Sequence, residues 1–109
     1  MSIDATTAPR LIASDIDGTL LDRNHRVPIR NREAVARAVA SGAEFALATG
    51  RPFRWIMPVL EQLTVRPVCV TSNGAVLYDA AADRVLSAHE LSPAALTEVV
   101  DVATTVLQP

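Results

Sequence analysis

Two aspartates near the start of the chain, Asp15 and Asp17, are separated by one residue. In an extended backbone, residues two apart point the same way and lie roughly 7 Å from each other, so one pocket can contain both carboxylates. Such a pair suits a hard divalent cation such as Mg²⁺, which takes a few protein oxygens together with water and substrate phosphate. It also suits a division of labour in which one carboxylate is a nucleophile and the other holds a proton as a general acid.

The residues around this pair favour a functional site over a simple turn. Asp-x-Asp-Gly-Thr alone could be an aspartate-rich turn after a strand, or a solvated acidic rim. Here an apolar run over residues 11–13 precedes it and Gly18-Thr19-Leu20 follows, as at the end of a buried strand. Gly18 permits a sharp exit from that strand, where exposed backbone N–H groups could hold an anion.

Polar residues also follow two further apolar runs, at residues 43–48 and 68–71. Between the runs, apolar residues recur at helical spacing. The order strand, helix, strand, helix, strand predicts an α/β fold with a Rossmann-like parallel sheet. Sheets of this kind bind ligands beyond the carboxyl ends of their strands. We therefore expect one polar rim formed by Asp15, Asp17, Thr49, Ser72 and Asn73.

The other elements follow from apolar periodicity and from Pro and Gly. They are a loose arm (1–9), a helix behind Pro28 (29–41), a helix opened by Pro52 and kinked or restarted at Pro58, a hairpin (75–78 with 85–89) and a helix (93–107). Ser92 is the expected N-cap of the last helix. Phe53 and Trp55 are expected to cover the sheet.

Composition argues against several classes of function. The 109 residues, half of them hydrophobic, suffice for one compact domain with a packed core. A formal net charge of −2 gives no electrostatic reason to bind nucleic acid or an anionic membrane. Cys69 is the one cysteine, which excludes a disulfide framework and suits a reducing cytoplasm. His25 and His89 have no second ligand at metal-binding spacing, so we interpret both as structural.

Three segments carry a resemblance to a known family. Asp15-Ile16-Asp17-Gly18-Thr19-Leu20-Leu21-Asp22 resembles the first motif of the haloacid dehalogenase superfamily of phosphotransferases, and Ala48-Thr49-Gly50-Arg51 resembles the second. Ser72-Asn73-Gly74-Ala75 is similar to a turn of the Cof-type subgroup, whose members insert a large cap after the third strand. The resemblance implies a partial core of this superfamily over residues 10–91 and the start of a cap region over residues 92–109.

The resemblance also implies an activity, that of a Mg²⁺-dependent phosphatase acting on small phosphorylated metabolites. Asp15 would attack phosphorus and become an aspartyl phosphate, while Asp17 would protonate the leaving oxygen and then deprotonate water. Mg²⁺ would bridge the Asp15 carboxylate, the Asp17 carbonyl and the phosphate. The residues that would contact phosphate or substrate are Gly18, Thr49, Gly50, Arg51 and Asn73. Arg51 could instead form a surface ion pair, and Asn73 could simply form its turn.

In the superfamily, residues 21–27 correspond to a mobile flap over the nucleophile. Arg23, His25 and Arg26 could meet an anionic substrate there. A solvated basic loop is the simpler interpretation of the same residues.

Two parts of the superfamily pattern are not visible in this sequence. The pattern needs a basic residue, usually Lys, to hold the phosphate, and an acidic pair on a later strand to complete the metal site. All ten basic residues here are Arg. We therefore expect the N-terminal portion of a phosphatase, active only with a C-terminal complement. Without later strands, the strand that ends at Asp15 would be an exposed apolar edge, which invites self-association or binding of that complement.

Two other interpretations stay open at this point. The chain could be a non-catalytic remnant or assembly module whose rim still binds phosphate or metal weakly. Phosphoryl signalling in the style of receiver domains is less favoured, because Asp15 and Asp17 lie on one strand with Gly-Thr behind them.

Overall fold

The computed structural model describes residues 8–108 and contains one five-stranded sheet. Its strands, in chain order, are β1 (Leu11–Ser14), β2 (Glu44–Ala48), β3 (Val68–Thr71), β4 (Val76–Asp79) and β5 (Arg84–Ala88), and they neighbour one another in that same order. β1, β2 and β3 are parallel, whereas β4 and β5 run antiparallel as a hairpin. The predicted α/β fold, with a parallel sheet and a hairpin, is confirmed. Most of the predicted arm lies outside the described residues, which begin at residue 8.

Three helices accompany the sheet: α1 (Ile29–Ala40), α2 (Met57–Leu60) and α3 (Pro93–Leu107). Pro28 precedes α1, and Gly42 follows it with a φ of 104°, a left-handed conformation that suits glycine after a helix. The Ser92 hydroxyl caps α3 by accepting a hydrogen bond from the Ala95 amide at 3.1 Å, as predicted. Within residues 8–108, no helix is both long and apolar enough to cross a membrane.

The helix expected after Pro52 is shorter and less regular than predicted. A 3₁₀ turn covers Phe53–Trp55, and α2 follows for a single turn. The physical reason is Pro58, which has no backbone N–H and is accommodated in the first turn of a helix but not in its interior. The Phe53 ring lies 5.6 Å from the ring of Tyr78 on β4, but Trp55 is 59% exposed and does not cover the sheet.

One hydrophobic core joins the sheet, α2 and the segment after β1. Its buried members are Ile16, Leu20, Leu21, Val27, Phe45, Leu47, Ile56, Val59, Leu60, Leu63, Cys69 and Tyr78. Val35 and Val39 of α1 pack against this cluster. Because Ile16, Leu20 and Leu21 belong to it, the segment that carries the two aspartates is anchored on both sides of Asp17.

The last helix, α3, lies outside the hydrophobic core. None of the residues of α3 is buried, and Leu96, Val99 and Val100 are each more than half exposed. The Cα radius of gyration is 17.6 Å, against about 13 Å for a compact domain of some hundred residues. The predicted exposed edge is present, because β1 ends the sheet and Leu11 is 62% exposed.

Candidate functional site

The two aspartates leave β1 at the carboxyl end of the parallel strands. β1 is paired with β2 up to Ser14, which lies opposite Leu47, so the segments after both strands emerge at the same rim. Ile16 is fully buried, whereas Asp15 and Asp17 on either side of it are exposed. This alternation supports the prediction that both carboxylates face the rim. Gly18 then turns the chain with a φ of 75°.

Asp15 is held by the backbone of its own turn. Its Oδ1 accepts a hydrogen bond from the Ile16 amide at 2.8 Å. Its second oxygen accepts no hydrogen bond from the part of the chain that the structure describes. One oxygen is therefore oriented, and the other is open to a ligand at the rim.

Asp17 forms a two-point ion pair with Arg51. The Arg51 Nε donates to Asp17 Oδ2 at 2.8 Å, and Nη2 donates to Oδ1 at 2.6 Å. The Arg51 Nη1 also donates to the Trp55 carbonyl at 3.3 Å. Hydrogen bonding from Arg51 lowers the pKa of Asp17, against a smaller opposing effect of burial, and the same bond raises the pKa of Arg51. Arg51 therefore forms an ion pair, which was one of the two roles predicted for it from the sequence.

The segments after β2 and β3 are joined through Thr49. Its buried side chain accepts a hydrogen bond at Oγ1 from the Arg51 amide at 3.0 Å, and its carbonyl accepts one from the Asn73 amide at 3.1 Å. The Ser72 amide donates to the Arg51 carbonyl at 2.9 Å. The bond to Arg51 uses a lone pair of the hydroxyl oxygen, so the Thr49 hydroxyl proton can still be donated to a ligand.

Gly50 lies directly against the side chain of Asn73. A Cβ added at Gly50 would meet Asn73 Oδ1 at 3.0 Å, which is tighter than ordinary packing. Ser72, Asn73 and Gly74 have successive φ values of 51°, 55° and 98°. Non-glycine residues adopt this left-handed region at a cost, and such conformations cluster at functional sites.

The structure thus brings most of the predicted site residues together. Direct contacts connect Asp17, Arg51, Thr49, Gly50 and Asn73, while Asp15 and Gly18 lie at the same rim. Beside Asp17 is a depression of about 510 Å³ lined by Gly18, Leu21, Asp22, Arg23 and His25.

Gln62 was not predicted from the sequence, but its side chain is hydrogen-bonded to the loop that borders this depression. A glutamine 35 positions from its partner has no local pattern that could reveal it.

The rim offers oxygen donors for a hard cation. Within residues 8–108, no group of three or more His, Cys, Asp or Glu side chains could hold a metal ion. Asp79 and Asp83 are used in the hairpin, where they accept hydrogen bonds from the Ala81 amide and the Tyr78 hydroxyl. The donors left at the rim are the carboxylates and the main chain of residues 15–17. These fit Mg²⁺, which is commonly bound through one or two carboxylates and keeps several waters.

The fold and the rim place the chain among α/β proteins that bind ligands beyond the carboxyl ends of parallel strands. The sequence profile of the haloacid dehalogenase-like hydrolases matches residues 12–106. The chain belongs to this family, which confirms the resemblance of its motifs.

Individual relatives agree with this assignment. Phosphatase YwpJ of Bacillus subtilis is 39% identical over 70 residues, which are 64% of this chain and 25% of that protein. Pyridoxal phosphate phosphatase YbhA of Escherichia coli is 37% identical over 82 residues, which are 75% of this chain and 30% of that protein. The structure of a haloacid dehalogenase-like hydrolase from B. subtilis has a TM-score of 0.78 at 29% identity, covering 89% of this chain and 34% of that one. The chain spans about a quarter to a third of the length of these relatives.

Proposed function

We propose that this chain is the nucleophile-bearing part of a Mg²⁺-dependent phosphatase that hydrolyses monoesters of small phosphorylated metabolites through an aspartyl phosphate. The observation that carries the proposal is the rim, where an exposed Asp15 oxygen, the Asp17 carboxylate and the Thr49 hydroxyl share one end of the parallel sheet. The phosphatase names of the relatives YwpJ and YbhA support the same reaction class.

Asp15 is the proposed nucleophile because one of its carboxylate oxygens is oriented by the backbone and the residue is exposed at the rim. The Ile16 amide fixes one carboxylate oxygen, so the other can attack phosphorus without prior rearrangement. The Thr49 hydroxyl and the Gly50 amide donate to phosphate oxygens, where negative charge is concentrated. Gly18 keeps the backbone after the nucleophile free of side-chain atoms. Asn73 positions Gly50 and gives the turn after β3 its shape.

Asp17 is the proposed general acid, and its ion pair with Arg51 belongs to the substrate-free protein. A carboxylate that accepts two hydrogen bonds from Arg51 stays ionised, whereas a general acid must carry a proton. Guanidinium groups bind phosphate oxygens with the same forked geometry that binds carboxylates. Transfer of Arg51 contacts from Asp17 to the substrate phosphate therefore raises the pKa of Asp17 and holds the substrate in one step.

Mg²⁺ would be held by the Asp15 carboxylate and the Asp17 carbonyl, and would supply neutralising charge to the phosphate. The chain has no Lys, and no third carboxylate joins the rim in the part of the chain that the structure describes. Residues from outside the proposed partial core (10–91) must complete the site, and residues 92–109 begin the proposed cap. A single buried thiol, Cys69, supports a cytoplasmic setting.

A non-catalytic assembly role is the second candidate, favoured by the exposed β1 edge and the apolar surface of α3. It predicts a stable dimer by light scattering and no turnover under any condition. The phosphatase proposal predicts turnover once the missing residues are supplied.

The deciding experiment measures hydrolysis of p-nitrophenyl phosphate. The chain is assayed alone and joined to the corresponding C-terminal segment of YwpJ, with Mg²⁺ or with EDTA. We expect hydrolysis only for the joined protein with Mg²⁺, and its loss in Asp15→Asn. Asp101→Asn, an exposed acid on α3, is the matched control and should leave the rate unchanged. Unaltered turnover by Asp15→Asn would refute the nucleophile assignment.

A further inference from the structure

We infer that Gln62 is a positioning residue that keeps the loop of residues 22–27, here called the flap loop, closed beside Asp17. The inference rests on the proposed function only in that the depression bordered by this loop admits the substrate. The closure of the loop itself is tested without any turnover.

The flap loop is a preformed turn rather than an open strand of chain. Asp22 Oδ1 accepts hydrogen bonds from the amides of Asn24 at 2.8 Å and Arg26 at 3.1 Å. The Asp22 amide donates a hydrogen bond to the Arg26 carbonyl at 2.8 Å, and the His25 amide donates to the Asp22 carbonyl at 3.1 Å. These bonds hold the loop together internally, but none of them attaches it to the rest of the protein.

Gln62 supplies the attachment on the C-terminal side of the loop. Its Oε1 accepts a hydrogen bond from the Val27 amide at 2.7 Å. Its Nε2 donates to the Pro58 carbonyl at 3.1 Å, which fixes the side chain against α2, and reaches the His25 carbonyl at 3.5 Å. The half-buried Gln62 side chain therefore bridges α2 and the flap loop.

The hydrogen bond from the Val27 amide to Gln62 matters because this amide has poor alternative hydrogen-bond partners. The Val27 side chain is 6% exposed, and the residue that follows, Pro28, has no N–H of its own. Truncation of Gln62 leaves a sheltered donor unpaired, which costs more than the loss of an exposed hydrogen bond. On the N-terminal side, the loop is anchored by the buried Leu21 side chain and by a hydrogen bond from the Leu21 amide to the Ile16 carbonyl at 3.1 Å. Loss of Gln62 is therefore expected to release the loop from one end.

Release would change the wall of the depression. Arg23 and His25 line it together with Asp17, and both belong to the flap loop. Their positions relative to Asp17 depend on the bridge that Gln62 makes. Gln62 thus acts on the proposed site through the flap loop and not by contact with the rim.

Limited proteolysis of the full chain with trypsin tests this inference, since Arg23 and Arg26 are exposed within the flap loop. Cleavage of a closed loop tracks the fraction of open molecules. We expect Gln62→Ala to speed cleavage after Arg23 and Arg26 by roughly tenfold, the effect of one unpaired sheltered donor. Glu61→Ala truncates an exposed side chain next to Gln62 that makes no hydrogen bond to the described flap loop, and should stay within about threefold of the unsubstituted chain.

Cleavage after Arg84, in the hairpin, serves as the internal control. A cleavage rate that rises only in the flap loop, and only in Gln62→Ala, supports the positioning role of Gln62. Three results would overturn it: flap-loop cleavage unchanged in Gln62→Ala, equal acceleration in both variants, or the same acceleration after Arg84. None of these cleavage rates depends on phosphatase activity, so failure of the positioning role of Gln62 and failure of the proposed function are distinguishable.

Discussion

The guanidinium of Arg51 and the carboxylate of Asp17 meet through two hydrogen bonds, at 2.8 and 2.6 Å, and so connect the segment after β2 to the segment after β1. This contact links the second sequence motif of the chain to the first. It also fixes the charge state of Asp17, because the ionised carboxylate is the form that accepts both bonds.

Arg51→Gln is expected to raise the pKa of Asp17 toward its ordinary value, because the hydrogen bond from Arg51 is the largest cause of the lowering. The pair stabilises the native state above about pH 4, and this contribution is lost as the pH falls through the lowered pKa of folded Asp17. At neutral pH the free energy of unfolding should fall by less than about 1 kcal/mol, since the side chain of Asp17 is 53% exposed and that of Arg51 is 22% exposed.

Carbon NMR titration of the Asp17 carboxyl group measures this change, and denaturant unfolding at neutral and acid pH measures the stability. Arg54→Gln removes a nearby exposed arginine and is the matched control. An Asp17 pKa that is the same in Arg51→Gln and in the unsubstituted protein would contradict the ion pair.

Substitution of two buried threonines, Thr49 and Thr71, distinguishes a role in the proposed site from a role in the fold alone. Thr49→Val leaves the Arg51 amide unpaired and removes a proposed phosphate donor, so we expect a stability loss of about 1 kcal/mol together with a large loss of turnover. Thr71→Val removes a hydroxyl that donates to the Val76 carbonyl at 2.9 Å, with a similar stability loss and no change in turnover per folded molecule. Unfolding curves and the p-nitrophenyl phosphate assay together distinguish the two. Equal turnover in both variants would remove Thr49 from the site.

Glycine is needed at position 50 because the Asn73 side chain leaves little room for a Cβ, and not because of its backbone φ. Gly50→Ala should displace the Asn73 side chain and lower stability by about 1 kcal/mol, because the new Cβ would lie 3.0 Å from Asn73 Oδ1. Asn73→Gly removes that side chain and suits the left-handed φ of 55°. In a double-mutant cycle, Gly50→Ala should therefore cost much less in the Asn73→Gly background. Strictly additive effects would show that the two residues are not in contact.

Cys69 is expected to resist thiol reagents in the folded protein. It is fully buried on β3, and burial raises the pKa of its thiol to about 11. At pH 9 to 10 the unfolded chain carries a reactive thiolate, whereas the folded chain should react with iodoacetamide only through unfolding. The labelling rate with and without denaturant measures this. Rapid labelling of the folded protein at that pH would contradict the burial of β3.

Local patterns predicted most of the fold. β3 and α3 have the predicted bounds, and α1 differs by one residue, because apolar spacing, Pro28 and Ser92 mark these elements within the sequence. The segment after Pro52 was less predictable, since its apolar spacing favoured one helix and the missing N–H of Pro58 interrupted it.

The site was predictable in its members but not in its contacts. Parallel strand order places residues 15, 17 and 49 at one rim, and this follows from the order of elements alone. The pairing of Arg51 with Asp17 was only one of two options, because sequence spacing does not show which way a long side chain turns. Gln62 was missed because its partners lie 35 and 37 positions away and depend on how α2 packs.

Chemical trapping of the phosphorylated side chain tests the central claim most directly. The active protein is mixed with substrate and Mg²⁺, quenched in acid and treated with borohydride, which reduces an acyl phosphate on aspartate to homoserine. Mass spectrometry of the peptides is expected to find homoserine at position 15 and intact aspartate at position 17. Homoserine at position 17, or continued turnover with position 15 unmodified in every trapped sample, would contradict the account.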